Sequence, residues 1–188
     1  LDRDARALNT GVFVTDISPH FAADMGFIPR TDQIRMSANV NPHFYARGES
    51  WFQSINPEIS YERIHRHGAR RHIGQLTDDE LGATVNLDLP LSTSFGGGYF
   101  RAYTFHEGHA FPGQDRVAVW GNSSRFTAVQ GGVFASYGDD VVFDETVAGR
   151  SLRWEVSTDL RFTPQLDASL SVAGLHLERR GPGTRFAD

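Results

Sequence analysis

Residues 152 to 162 read LRWEVSTDLRF. Leu152, Trp154, Val156, Leu160 and Phe162 share one parity, with Thr158 among them, while Arg153, Glu155, Ser157, Asp159 and Arg161 share the other. Successive side chains of a strand point to opposite faces, so this segment makes one oily face and one face charged with both signs. The fold turns on what medium lies against each.

The alternation recurs outward from that stretch. Leu81, Ala83, Val85, Leu87, Leu89 and Leu91 oppose Gly82, Thr84, Asn86 and Asp88. Ile34, Met36, Ala38 and Val40 oppose Arg35, Ser37 and Asn39, and Trp51, Ile55, Ile59 and Tyr61 oppose Ser54, Asn56, Glu58 and Ser60. Phe95, Tyr99, Tyr103 and Phe105 share a face that Arg101 interrupts; Val129, Val133 and Tyr137 follow the same rule, as do Leu166, Ala168, Leu170 and Val172. No stretch of comparable length has a helical period, which predicts an all-β chain. Several segments alternate for ten or more residues, about 23 Å when tilted by about 45°, which matches the apolar band of an outer-membrane barrel.

Composition permits this reading. The 188 residues are 39% hydrophobic and 22% charged, as ordinary for a membrane barrel as for a soluble domain. A net charge of −5 argues against a general nucleic-acid binder. All 18 basic residues are Arg, and the absence of Cys removes disulfides, thiolate catalysis and Cys-type zinc sites. No apolar run is long enough for a transmembrane helix, and LDRDARALNT does not read as a signal peptide. A start without Met and the polar end GPGTRFAD predict a fragment of a longer protein.

Short connections are expected near Arg47 to Ser50, Ser92 to Ser94, Asn122 to Arg125 and Thr163 to Gln165, with long polar loops over 65–79, 106–115 and 138–150. Turns on one rim and loops on the other describe an up-and-down barrel. Trp51, Phe95 and Phe162 beside the turns, with Tyr61, Phe105 and Trp154 eight to ten residues away, predict two aromatic rows.

The segment FAADMGFIPRTDQIRMS, residues 21 to 37, resembles a signature of the bacterial domain-of-unknown-function family 5916. Phe21, Gly26, Phe27 and Arg30 carry it, with Pro29 before the Arg, and the strand-rich text that follows also looks like that family's C-terminal barrel. The resemblance implies an outer-membrane barrel whose relatives carry an N-terminal domain similar to carbohydrate-binding family 9, and it brings no catalytic residues. Ala22 and Ala23 stand where the family often has Asn-Pro, so the location of the motif is carried over without a ligand role. By its own chemistry the motif reads as a turn: Gly26 for backbone freedom, Pro29 for direction, and Arg30 for a carboxylate.

Candidate chemistry is sparse. His65, His67 and His72 match no standard metal spacing and stand among Arg66, Arg70 and Arg71, which repel a cation and suit lipopolysaccharide phosphates instead. Asp139, Asp140, Asp144 and Glu145 lack the EF-hand pattern. Ser123 with His106 or His109 lacks any nucleophile motif, and Gly96, Gly97 and Gly98 read as relief of crowding in the wall. The sequence therefore predicts one β-barrel segment over residues 1–188, of about eight long antiparallel strands. Arg153, Glu155, Asp159 and Arg161 would face its lumen. The expected setting is the bacterial outer membrane, as a pore, transport element or scaffold. The expected partners are membrane lipid, lipopolysaccharide, and a glycan or small solute, without nucleic acid, cofactor, metal or catalytic centre. A soluble carbohydrate-binding β-sandwich is the alternative.

Overall fold

The computed structural model describes residues 2–3, 7–19, 31–68, 72–126, 128–163 and 165–180. Its strands are β1 (Asp2–Arg3), β2 (Leu8–Ile17), β3 (Gln33–Pro42), β4 (Phe44–Tyr45), β5 (Ser54–His67), β6 (Ile73–Leu89), β7 (Thr93–His106), β8 (His109–Phe126), β9 (Val129–Val142), β10 (Val147–Thr163) and β11 (Leu166–Arg179). They form a single antiparallel meander in the order β1-β2-β3-β5-β6-β7-β8-β9-β10-β11, with β4 set aside on β5. The all-β expectation holds. Nine strands are ten residues or longer, one more than expected, and among the described residues no hydrogen-bonded pairing joins the two ends of the sheet into a barrel. The ends of the sheet are the two-residue β1 and β11, and ten alternating strands leave these two running in opposite directions.

The connections differ from expectation. Residues 106–115 hold only a two-residue turn, Glu107 and Gly108, with both at positive φ (48° and 85°). Residues 138–150 continue β9 and β10 around one 3-10 turn, Phe143–Glu145, closed by Thr146 at φ 53°. Within 65–79, strand runs to His67 and resumes at Ile73. Asn122 to Arg125 lies inside β8, which runs to Phe126, and β9 begins at Val129. The supposed long loops are thus strand extensions. Their few apolar residues make no sustained alternation, so their composition reads as loop.

Cross-strand partners share a face, so the register assembles the two surfaces. One row runs Ile55, Leu87, Phe95, Gly121, Val133, Val156 and Val172 across seven strands. A row of the opposite parity runs Ser54, Asp88, Ser94, Asn122, Gly132, Ser157 and Ser171. The segment 152–162 lies in β10 and contributes to both faces as its alternation predicts. Buried apolar residues are few: Phe111, Val141 and Ala148 form a small cluster among the extensions of β8, β9 and β10, and Ile34 and Ala118 stand apart from it.

Candidate membrane interface

Burial on this sheet is reversed relative to a water-soluble one. On the apolar face, Val14 is 68% exposed, Ile59 61% and Leu170 61%, whereas Ser136 and Ser151 on the polar face are 3% and 2% exposed. The serines are covered by larger neighbours on the same face, while no second layer covers the valines and leucines among the described residues. Exposed apolar patches on soluble monomers rarely exceed a few hundred Å², and this band crosses nine strands.

The band has a sharp upper edge. Along the apolar parity, seven strands turn from apolar to charged: Val14 to Asp16, Tyr61 to Arg63, Leu81 to Asp79, Tyr99 to Arg101, Val117 to Asp115, Tyr137 to Asp139, and Leu152 to Arg150. There is a step of one level between β6 and β7, where Leu81 faces Arg101, and β3 is apolar through Ile34. Below it, the apolar parity continues from Leu81 to Leu89, Val129 to Tyr137, and Leu152 to Leu160. Nine residues tilted by about 45° cover about 21 Å.

The edge is built from repeated units. Tyr61 Oη donates to Asp79 Oδ2 at 2.7 Å, and Arg63 donates to the same oxygen from Nε at 2.9 Å and Nη2 at 2.6 Å. One hairpin on, Tyr99 donates to Asp115 Oδ1, with Arg101 Nε 4.0 Å from that oxygen. One hairpin further, Arg150 Nη1 donates to Tyr137 Oη at 3.2 Å and its Nε lies 3.9 Å from Asp139 Oδ1, which Arg180 also approaches at 2.7 Å. Each tyrosine offers an apolar ring to the band and a hydroxyl to the charged edge.

These tyrosines replace part of the expected upper aromatic row. Tyr61 belongs to it. Phe105 instead lines an open pocket of about 310 Å³ with Arg66, Thr77 and Gln33, and Trp154 stands within the band over Gly174. A Cβ on Gly174 would sit 2.5 Å from the indole, so the glycine makes room for the ring. Tyr99 and Tyr137 already stood on the oily parity; their partnership with Asp115 and Arg150 depends on a register that local sequence does not state. The legible trace is YER at 61–63 and YFR at 99–101, with the tyrosines at 61, 99 and 137 each 38 positions apart.

Beyond the band, His67 ties three segments together. Its Nε2 lies 2.8 Å from Asp16 on β2 and its Nδ1 3.0 Å from Asp32, which precedes β3 at φ 61°. The hydrogen bond to Asp16 most strongly, and that to Asp32, push the imidazole pKa up from its ordinary value against the opposing effect of burial. No group of three or more His, Asp and Glu side chains able to hold a metal ion is present among the described residues.

The polar face is laced with side-chain hydrogen bonds. Arg35 pairs with Glu62 at 2.5 Å, Arg116 with Glu80 at 3.1 Å, and Trp120 Nε1 donates to Asn86 at 2.7 Å. Asp88 accepts from Ser54 at 2.5 Å and from Asn56 at 2.9 Å. Of the residues expected to face a lumen, all four lie on this face and are exposed. Arg153 pairs with Asp140 at 2.8 Å, Glu155 accepts from Ser171 at 3.0 Å, and Asp159 and Arg161 flank a shallow depression with Asp167. The acidic stretch at 139–145 is matched by arginines: Asp139 as above, Asp140 by Arg153, and Glu145 by Arg179.

Arg66 stands opposite Gln33 on the polar parity and reaches the upper-rim pocket. Arg70 and Arg71 lie outside the described residues, as do Phe21, Gly26, Phe27 and Arg30. His65 Nδ1 lies 3.1 Å from the Gly74 carbonyl oxygen. Ser123 shares a hydrogen bond of 2.8 Å with Thr93 and lies 14 positions along β8 from His109, roughly 46 Å at strand rise, so the two cannot act as nucleophile and base. No family model, no curated protein and no solved structure matches this chain.

Proposed function

We propose that this chain is part of the wall of an outer-membrane β-barrel, serving as a pore, transport element or scaffold, with the apolar face toward lipid and the polar face toward a water-filled lumen. The observation that carries the reading is the reversed burial: large apolar side chains lie open on one face of a single sheet, and the best-covered side chains on the other are serines. The band of about 21 Å fits the apolar belt of such walls, and its Tyr-rich edge fits the water–lipid boundary.

Hydrocarbon tolerates no unpaired strand edge, so a wall containing β2 and β11 has to be closed. The two end strands, β1 and β11, run in opposite directions, so antiparallel closure through both takes an even number of further strands or none. The resemblance to the domain-of-unknown-function family 5916 belongs with this proposal, and so does handling of a glycan or small solute along the lumen. Arg66 at the upper rim, together with Arg70 and Arg71 of the same stretch of sequence, would meet lipopolysaccharide phosphates, which guanidinium groups bind in a bidentate fashion.

A soluble carbohydrate-binding sandwich would need a second layer over Val12, Val85, Val119 and Val156, all about half exposed. Refolding separates the two readings. The barrel wall should require detergent or lipid, whereas a monodisperse, folded monomer in buffer alone would contradict it.

A further inference from the structure

We infer that the upper edge of the apolar band is a docking belt for the headgroup layer of a bilayer, in which Asp79, Asp115 and Asp139 stand in for lipid phosphate, so that the chain seats in the membrane without selecting for lipid charge. The inference rests on the membrane reading above and deepens it by naming how the wall meets the bilayer surface.

The belt lies where the apolar parity of seven strands turns to charge. Arg or Lys at the bilayer midplane costs roughly 2 to 4 kcal/mol, and near the interface about 0 to 1. Arg63, Arg101 and Arg150 therefore belong at the interface, while Ile59, four residues along the strand from Arg63, Val117, diagonally across from Arg101, and Leu152, two residues from Arg150, belong in hydrocarbon. The tyrosine rings of Tyr61, Tyr99 and Tyr137 lie between, apolar body below and hydroxyl above, as amphipathic aromatics do at a membrane boundary. A guanidinium at that level ordinarily draws its counter-charge from phosphate. Here each has a carboxylate built in: Asp79 within 2.6 Å of Arg63, Asp115 4.0 Å from Arg101, and Asp139 3.9 Å from Arg150. Arg63 faces Asp79, Arg101 faces Asp115, and Arg150 and Arg180 share Asp139, while Asp16 on β2 adds a fourth carboxylate. Four arginines and four aspartates thus line the edge on successive hairpins, which suits a neutral belt following the membrane plane.

The sequence holds no cationic excess at this level that would favour an anionic lipid. Removing the carboxylates should create one. Without them the arginines would each attract anionic headgroups, an interaction that falls off within a Debye length and is screened by salt.

The test compares folding of the full chain into vesicles of phosphatidylcholine alone and of phosphatidylcholine with added phosphatidylglycerol, scored as the ratio of trypsin-protected protein in the two. The triple variant Asp79→Asn, Asp115→Asn, Asp139→Asn should raise that ratio about tenfold over the unsubstituted chain at low salt, and molar salt should abolish the rise. The single variant Asp115→Asn should raise it about threefold if the triple variant fails to fold, and Asp115→Glu should leave it unchanged. An unchanged ratio in the Asn variants that fold would overturn the belt while leaving the membrane reading standing. Failure of the unsubstituted chain to enter either vesicle would overturn both.

Discussion

Tyr61 donates its phenolic hydrogen bond to Asp79 diagonally across the β5–β6 pair, at 2.7 Å, two residue pairs above the level where Tyr61 faces Leu81. A ring in the apolar band and a hydroxyl on a carboxylate at its edge are joined in one side chain. The same relationship between Tyr99 and Asp115 makes the edge a repeated feature of the sheet.

Val156 lies in the band between Val133 and Val172, and Ser157 faces the other way between Gly132 and Ser171. Val156→Arg should cost roughly 2 to 4 kcal/mol of folding stability in lipid, and Ser157→Arg far less. Refolding titrations into vesicles compare the two directly; equal penalties would remove the assignment of faces.

Gly138 sits where β8 and β9 approach closely. A Cβ there would lie 2.5 Å from the Arg116 Cα and against the Asp115 carbonyl oxygen, which are backbone and cannot swing aside. Gly138→Ala should therefore destabilise the sheet by about 1 to 3 kcal/mol, as overpacking does. Denaturant midpoints in detergent micelles would register the loss, and an unshifted midpoint would mean the two strands part more easily than their pairing implies.

His67 holds Asp16 and Asp32 at the upper rim, and its pKa is raised in the folded chain. A raised pKa means the folded state holds the proton more tightly, so the clasp contributes fully below the ordinary histidine value of about 6.5. Its contribution is lost as pH rises through the higher folded value. Amide exchange near Asp16 and Asp32 should accelerate over that rise, and His67→Gln should flatten the dependence. Exchange that slows with pH once the intrinsic rate is divided out would contradict it.

Replacing Arg66, Arg70 and Arg71 together by Ser should weaken association with lipopolysaccharide and reduce its salt sensitivity, because phosphate attraction is screened over about 8 Å at physiological ionic strength. The sheet should still fold. Binding isotherms across a salt series are the measurement, and superimposable curves for the two proteins would discard this contact.

What the sequence disclosed follows from what period two can encode. Leu152 to Phe162 alternates cleanly because one face is oily, and the structure places that segment in β10 with its parity intact. HEGHAFPGQD reads as a loop because its turn-forming residues outnumber Ala110 and Phe111 and no alternation is sustained, yet Glu107 and Gly108 alone make the turn. Asn122 to Arg125 has turn composition, but in β8 its hydroxyls find cross-strand partners such as Thr93, and the strand runs on to Phe126. The Tyr–Asp–Arg units were hidden for a different reason: their members sit on neighbouring strands, and only the register brings Asp79 to Tyr61 or Arg150 to Tyr137.

The most direct measurement of the central claim uses the absence of native cysteine. Single cysteines placed in turn from Leu152 to Phe162 can each carry a nitroxide, in chain refolded into vesicles, and be scored for collision with oxygen, which concentrates in hydrocarbon, against a water-soluble nickel chelate. The account predicts a strict two-residue alternation, with positions 154, 156 and 160 favouring oxygen and positions 153, 155, 159 and 161 favouring the chelate. Uniform access of the chelate to both parities, or oxygen preference on the charged one, would contradict a wall with lipid on one side and water on the other.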